Sequence, residues 1–422
     1  MITLYPHQQQ ALNQTKDKNR VAYYHDMGLG KTFTGAEKMV QLGAKVNLVV
    51  CQKSKIEDWI EHFETNVNGH GHMFSMFDLT DKDALFDFMD YNKEKIGIIN
   101  YDLVWRRKEL LTLCDFTLML DESSLIQNET AKRSKFILKM KPANVILLSG
   151  TPTGGKYEKL WSQMRLLGWN ISKRTYWSQY IEVEYLDTMG GRSIPIVTGY
   201  KNVDRLKRKM IEHGCQFLKT EEIFDLPTQT FQKVKVDSTK EYRTFRKNSI
   251  VIVNDNELVG DTTLTKMLYE RQLCGQYNDN KLAAFRDLVE STNDRLIVFY
   301  NFTDELIQMK KIAFDLNRPR SIVNGNKKDL IAYESCDDSI TFIQYQAGAM
   351  GLNLQKANKI IYFSLPLSSE LFEQSKKRIH RIGQEKPCFY YLMICKGSIE
   401  ERILKTLEMR KDYTEKLFEK GD

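Results

Sequence analysis

The sequence has no long apolar run, little proline and no organised cysteine pattern, and each absence excludes something. No stretch approaches the roughly 18 consecutive apolar residues of a bilayer-crossing helix, which argues against an integral membrane protein. The opening MITLYPHQQQ has no basic segment followed by an apolar one, which predicts no secretory leader. The 7 cysteines are odd in number and never spaced as CxxC, and Cys51, Cys114 and Cys395 lie in apolar runs. That pattern fits reduced thiols rather than a disulfide framework or a zinc site. His70 and His72 flank a glycine but have no third ligand nearby, so a metal site there is the weaker reading. With 8 prolines and 23 glycines, the chain is neither fibrous nor disordered by composition.

What is present is enough for ordinary packed cores: 42% of residues are hydrophobic and 11% aromatic. A length of 422 residues predicts about two to four domains. The 62 Lys and Arg against 55 Asp and Glu leave a net charge of +7, compatible with a polyanionic partner without requiring one.

Short runs of β-branched and aromatic residues recur in two groups. The first holds VAYYH (21–25), VNLVVC (46–51), IGIINY (96–101), FTLMLDE (116–122) and VILLSG (145–150). The second holds RLIVFY (295–300), TFIQY (341–345), KIIYF (359–363) and CFYYLMIC (388–395). Continuous apolar runs of this length read as strands buried on both faces, hence parallel sheets covered by helices. The predicted fold is therefore α/β, with two lobes. Segments such as VDRLKRKMIEHG and TLTKMLYERQLCG between the groups read as helices. The expected domains are 1–165 as lobe one, 166–276 as a mostly helical insertion, 277–396 as lobe two and 397–422 as a terminal helix. One strand near 228–236 is expected to return to lobe one. Ser54 with Glu57 and Ser398 with Glu401 have capping-box spacing at two helix starts.

Three motifs carry chemistry. DMGLGKT (26–32) follows a strand and opens a helix. Gly28 and Gly30 let backbone N–H groups approach phosphate oxygens, Lys31 supplies a cation for the terminal phosphates, and Thr32 a hydroxyl for Mg²⁺. The earliest glycine of a general P-loop is replaced by His25. Asp121 and Glu122 end the run FTLML; beside a P-loop, one carboxylate holds Mg²⁺ through water and the other polarises the attacking water. In QSKKRIHRIGQ (374–384), Arg378 and Arg381 have the spacing of one helix face, and planar guanidinium forks suit a terminal phosphate in its transition state. On their own, KKR runs are more often solvated faces.

In order, these motifs resemble those of the Swi/Snf-like ATPases, the double-stranded DNA translocases of the second helicase superfamily. LYPHQQQAL is similar to the family's opening motif, which places adenine recognition on Gln8. DMGLGKT has the family's form of the P-loop, including the missing early glycine. LVVCQKSKIEDWIEHF, INYDLV and LLSGTPTGGKYEKLW follow in family order, as do LIVFYNFTDEL, QAGAMGLNLQKANKIIYF, RIHRIGQ and KGSIEERIL. LDESSLIQN resembles the DEAH box, with Ser124 in place of the histidine and Gln127 in place of a lysine. Gly155 stands where an asparagine is usual, and Gln344–Tyr345 where relatives carry Ser-Thr.

The resemblance implies two RecA-like lobes and an ATP·Mg²⁺ site. Its catalytic residues would be Lys31, Asp121, Glu122, Arg378 and Arg381. Gln8, Met27, Gly28, Leu29, Gly30, Lys31, Thr32, Gly351, Arg378 and Arg381 would bind nucleotide, and Thr32 with Asp121 would hold the metal. Arginines arriving from lobe two would stabilise the transferring phosphoryl group on closure. Double-stranded DNA is the implied partner, gripped mainly through phosphates by Lys53, Ser54, Tyr101, Thr151 and the loop around Gly348. The basic segment RLKRKM (205–210) and Trp161 with Trp169 read better as an amphipathic helix and as core. The expectation is a minimal, monomeric motor in a bacterial cytoplasm, of bacterial or phage origin, with replication or nucleoprotein partners. The rival functions are a strand-separating helicase and an ATP-dependent switch with little DNA-stimulated hydrolysis.

Overall fold

A computed structural model describes residues 4–187, 193–348 and 352–418. The chain forms two compact units: Met1–Ile223 with Asp412–Asp422, and Phe224–Lys411. Among the described residues, no helix is long and apolar enough to cross a membrane.

The first unit is built on strands β1 (Arg20–His25), β2 (Val46–Cys51), β3 (Ser75–Asp78), β4 (Lys95–Asn100), β5 (Thr117–Asp121) and β6 (Asn144–Leu148). A separate hairpin of β7 (Ile181–Asp187) and β8 (Ser193–Tyr200) follows, and β9 (Cys215–Leu218) rejoins the sheet. The sheet order is β3-β4-β2-β5-β6-β1-β9, with every pairing parallel. Because side chains alternate along a strand, each run feeds two cores. Ala22, Tyr24, Leu48, Val50, Leu118 and Leu120 pack on one face. Val21, Tyr23, Val49, Ile96, Ile98 and Met119 pack on the other. Burial on both faces is why these strands are apolar throughout.

The second unit holds β10 (Gln229–Val236), a hairpin of β11 (Ile250–Val253) and β12 (Asn256–Val259), then β13 (Leu296–Tyr300), β14 (Arg320–Val323), β15 (Lys328–Asp329), β16 (Ile340–Gln344), β17 (Lys359–Tyr362) and β18 (Cys388–Cys395). The order is β10-β18-β17-β13-β16-β14-β15, parallel except for β15 against β14. Ile297 and Phe299 face one core, and Leu296, Val298 and Tyr300 the other.

The stretch 166–276 departs from expectation. It is not mostly helical: beside the helices Lys173–Tyr180, Val203–Glu212, Lys240–Asn248 and Thr263–Cys274 it contains both hairpins, β9 and β10. The strand expected near 228–236 exists, but it pairs along its whole length with β18 in the second unit. The strand that joins the first sheet is β9, beside β1. Both edge strands escape a search for continuous apolar runs. QTFQKVKV has five polar residues in eight and is mostly exposed, as a strand at a sheet edge can be.

The capping boxes also shift. Helix Ile56–His62 has Lys55 as its N-cap with no side-chain bond, because Lys53–Lys55 form a 3₁₀ turn before it. At the last helix, Ile399–Phe418, Ser398 Oγ accepts from Glu400 N. Glu400, not Glu401, reaches back, accepting from Cys395 N at 2.9 Å.

Candidate nucleotide-binding site

In an all-parallel sheet the C-terminal strand ends share one edge, where ligands bind. β5, β6 and β1 are neighbours, so the acidic pair, the Ser149–Gly155 loop and the P-loop emerge side by side. Lys53 and Ser54 follow β2 at the same edge, and Tyr101 follows β4.

The P-loop runs from His25 to the helix Lys31–Leu42, whose N-cap, Gly30, adopts a left-handed φ of +69°. A Cβ at Gly30 would lie 2.2 Å from Gln8 Nε2, so only glycine fits. Gln8 Nε2 donates to the Leu29 and Gly30 carbonyls at 3.3 and 3.2 Å, while its Oε1 accepts from Tyr5 N at 2.9 Å. The predicted adenine-recognising glutamine therefore braces the loop on which the phosphates would sit. Lys31 Nζ donates to the His25 and Asp26 carbonyls at 2.9 and 3.0 Å. Met27, Gly28 and Thr32 lie on the same loop and the first helical turn. His25, where a general P-loop has glycine, is buried, and burial beside Lys31 lowers its pKa from 6.5 to about 3.

Asp121 closes β5, and its carboxylate accepts from Trp59 Nε1 at 2.9 Å. Burial raises its pKa, while the Trp59 bond and Lys31 pull it down. Glu122 sits in the left-handed region at φ 55°, ψ 60°, a conformation costing a non-glycine residue about 1–3 kcal/mol. Ser149 Oγ donates to Glu122 Oε2 at 3.2 Å. This strained turn points the two adjacent carboxyl groups differently, one to Trp59 and one toward the Ser149 loop. Among the described residues, no group of three or more His, Cys, Asp or Glu could cage a metal. Mg²⁺ needs no such cage: one hydroxyl and one carboxylate with waters and phosphate oxygens suffice, and Thr32 and Asp121 are residues of those two types at this edge. The glycine cradle, the lysine and this donor set fit ATP·Mg²⁺.

Several expected residues behave otherwise. Tyr101, expected to touch DNA, is buried at 3% exposure, and its hydroxyl donates to the Asp121 carbonyl at 2.9 Å. Its side chain supports the acidic pair instead. Thr151 is also buried, with Oγ1 lacking a hydrogen-bond partner, whereas Lys53 and Ser54 are exposed. Arg378 and Arg381 do not share a helix face. The helix Ser369–Lys376 ends at Lys377, and both arginines lie on the turns that follow. Arg378 is buried and its carbonyl accepts from Leu354 N at 3.1 Å, while Arg381 bonds Asn353. These bonds tie the arginine turns to the 352–354 loop in place of a continued helix. Gly348 ends the short helix Tyr345–Gly348, and Gly351 lies outside the described residues. Trp161 and Trp169 pack against the core, and Leu206 and Met210 bury the apolar face of the RLKRKM helix.

Sequence reasoning gave no roles to Trp59, Ser149 and Gln163. The tryptophan lay in a quoted motif, but only folding brings it to Asp121, 62 positions away.

A parallel-sheet core with a glycine-cradled lysine, a strand-end carboxylate pair and a serine–threonine loop on three neighbouring strands defines the class: a two-lobed α/β fold built around a P-loop. The SNF2-related domain matches residues 10–279 and the helicase conserved C-terminal domain residues 280–383. The chain belongs to the SNF2-related family. It is 22% identical to "SWI/SNF-related matrix-associated actin-dependent regulator of chromatin subfamily A member 1" of Mus musculus, covering 91% of this chain and 40% of that one. It is 24% identical to "Probable ATP-dependent DNA helicase CHR12" of Arabidopsis thaliana, covering 94% and 40%. The chain thus spans about 40% of the length of these curated relatives. The solved "Sulfolobus solfataricus SWI2/SNF2 ATPase core in complex with dsDNA" aligns with a TM-score of 0.46 at 20% identity, covering 98% of this chain and 92% of that one.

Proposed function

We propose that the chain hydrolyses ATP with Mg²⁺ and couples this to translocation along double-stranded DNA. The observation that carries the reading is the convergence of P-loop, acidic pair and Ser149–Gly155 loop at one sheet edge, in a chain whose two domain matches follow helicase order. In this reading Lys31 would bind the terminal phosphates, and Thr32 and Asp121 would hold Mg²⁺. Glu122 accepts the proton of the attacking water. Mg²⁺ supplies charge neutralisation on the phosphate oxygens. Arg378 and Arg381, from the second unit, are assigned the stabilisation of the transferring phosphoryl group.

The family resemblance and the relatives named as DNA helicase and chromatin regulator support a DNA substrate. Exposed Lys53 and Ser54, at the end of β2, are assigned backbone phosphate contacts, as are the Thr151 loop of the same unit and the Gly348 loop of the second unit. Such contacts read charge rather than sequence, so binding weakens steeply with salt. The test measures ATPase rate without DNA, with single strands and with duplex, at two salt concentrations, followed by triplex displacement. Duplex-specific stimulation that falls with salt, together with triplex displacement, is expected. Efficient strand separation of tailed duplexes would replace translocation by a helicase reading. A rate indifferent to any DNA would favour a nucleotide-dependent switch.

A further inference from the structure

Ser124 occupies the place where the resemblance puts a histidine, which raises the question of what links the acidic pair to the loop after β6. The fold supplies a link through a different residue. Gln163, in the helix Trp161–Leu166, is fully buried and shared by three elements. Its Oε1 accepts from Tyr24 Oη at 2.9 Å and from Ser123 Oγ at 2.8 Å. Its Nε2 donates to the Pro152 carbonyl at 2.8 Å. Tyr24 lies in β1 just before the P-loop, Ser123 directly follows Glu122, and Pro152 directly follows Thr151.

These bonds close a ring. From Glu122 the path runs through Ser149 Oγ, which accepts from Thr151 N at 3.1 Å. The chain then leads to Pro152, whose carbonyl meets Gln163, and Gln163 returns through Ser123 to Glu122. Ser123, Ser149 and Gln163 are all at 0% exposure, so no water competes for the bonds. An amide is suited to this place because it accepts on one side and donates on the other. A buried ring of this kind holds one geometry, because a member left unpaired has no water to replace its lost bond.

We propose that Gln163 is a positioning residue for ATP hydrolysis: its carboxamide fixes the Ser149–Thr153 loop to the acidic pair, so that displacement of the loop reaches Glu122 through Ser123. The part of this that concerns DNA rests on the proposed role of the Thr151 loop. The part that concerns hydrolysis stands without it.

The test is a set of variants assayed for kcat and KM of ATP hydrolysis, with and without duplex DNA, each with its thermal midpoint. Ser123→Ala is expected to lower basal kcat about ten- to a hundredfold, with KM within about twofold, as a misplaced catalytic group does. Gln163→Leu should show the same loss, and Ser123→Ala with Gln163→Leu no more than either alone. Gln163→Glu gives a readout that packing alone would not move. Its carboxylate can accept from Ser123 but has no proton for the Pro152 carbonyl, whereas the protonated form, favoured by burial, can donate. Its kcat relative to the parent should therefore rise as pH falls from about 8.5 to about 6. If the leucine variant fails to fold, the alanine and glutamate variants still decide.

Folded Ser123→Ala and Gln163→Glu proteins with parental kcat, with and without duplex, would overturn the proposal, as would additive losses in the double variant. A parental enzyme unstimulated by duplex would instead overturn the DNA-motor reading, leaving the basal kcat comparison to judge Gln163.

Discussion

Asp121 and Glu122 are adjacent in sequence, yet they are held by different forces. Burial pushes the Asp121 carboxyl upward, so the folded chain disfavours the ionised form that the proposed Mg²⁺ contact needs. A carboxyl whose folded pKa is raised contributes stability below its unfolded pKa and loses it as pH rises. Asp121→Asn should therefore raise the thermal midpoint near pH 7.5 while abolishing hydrolysis, and the gain should vanish in acid, below the unfolded carboxyl's pKa. Glu122→Gln should lower kcat by about a hundredfold or more, in line with loss of a general base, with nucleotide binding retained in a fluorescence titration. His25 has the opposite linkage to Asp121. Folded, it stays neutral down to about pH 3, whereas unfolded it protonates near 6.5. Between those values the unfolded chain binds the extra proton, so stability falls as pH drops through this window. His25→Asn should flatten that part of the urea midpoint against pH.

Among elements, the last helix depends on a pair that its sequence pattern did not single out. Lys281 Nζ and Glu400 Oε1 lie 2.6 Å apart, both essentially buried, joining the helix Asp279–Glu290 to the first turn of Ile399–Phe418. Removing one partner of a buried pair leaves the other charged and unpaired, costing about 3–5 kcal/mol. Glu400→Ala should lower the unfolding free energy of the second unit, measured by urea titration, by that amount, and Lys281→Met with Glu400→Leu should recover much of it. Ser398 and Glu401 had capping-box spacing, but the neighbouring Glu400 took the role because it also faces Lys281. The same lesson holds for strands. VNLVVC and LIVFY are legible because both faces are buried; QTFQKVKV is legible as a strand but not in its choice of sheet, and the four-residue CQFL is too short to stand out. QSKKRIHRIGQ has helical composition throughout, yet the helix stops at Lys377 and the turns that follow bond to the 352–354 loop.

At the scale of the whole molecule, each unit has its own pair of cores, one on each side of its sheet. Calorimetry should therefore resolve two transitions. A non-hydrolysable ATP analogue with Mg²⁺ should raise one, that of the unit bearing the P-loop, by about 2.7 kcal/mol at a hundred times its Kd. A single transition would contradict separate cores in the two units. The glycine–lysine loop, the acidic pair, the strand runs and their order were all determined by the sequence, because they depend on local backbone freedom, charge and the apolar content of strands buried on both faces. Tertiary structure alone decided which edge strand joins which sheet, where Tyr101 points, and that Gln163 stands between Tyr24, Ser123 and Pro152. Those outcomes depend on contacts between residues 11 to 193 positions apart, and no local pattern records which distant donors and acceptors must pair once water is gone.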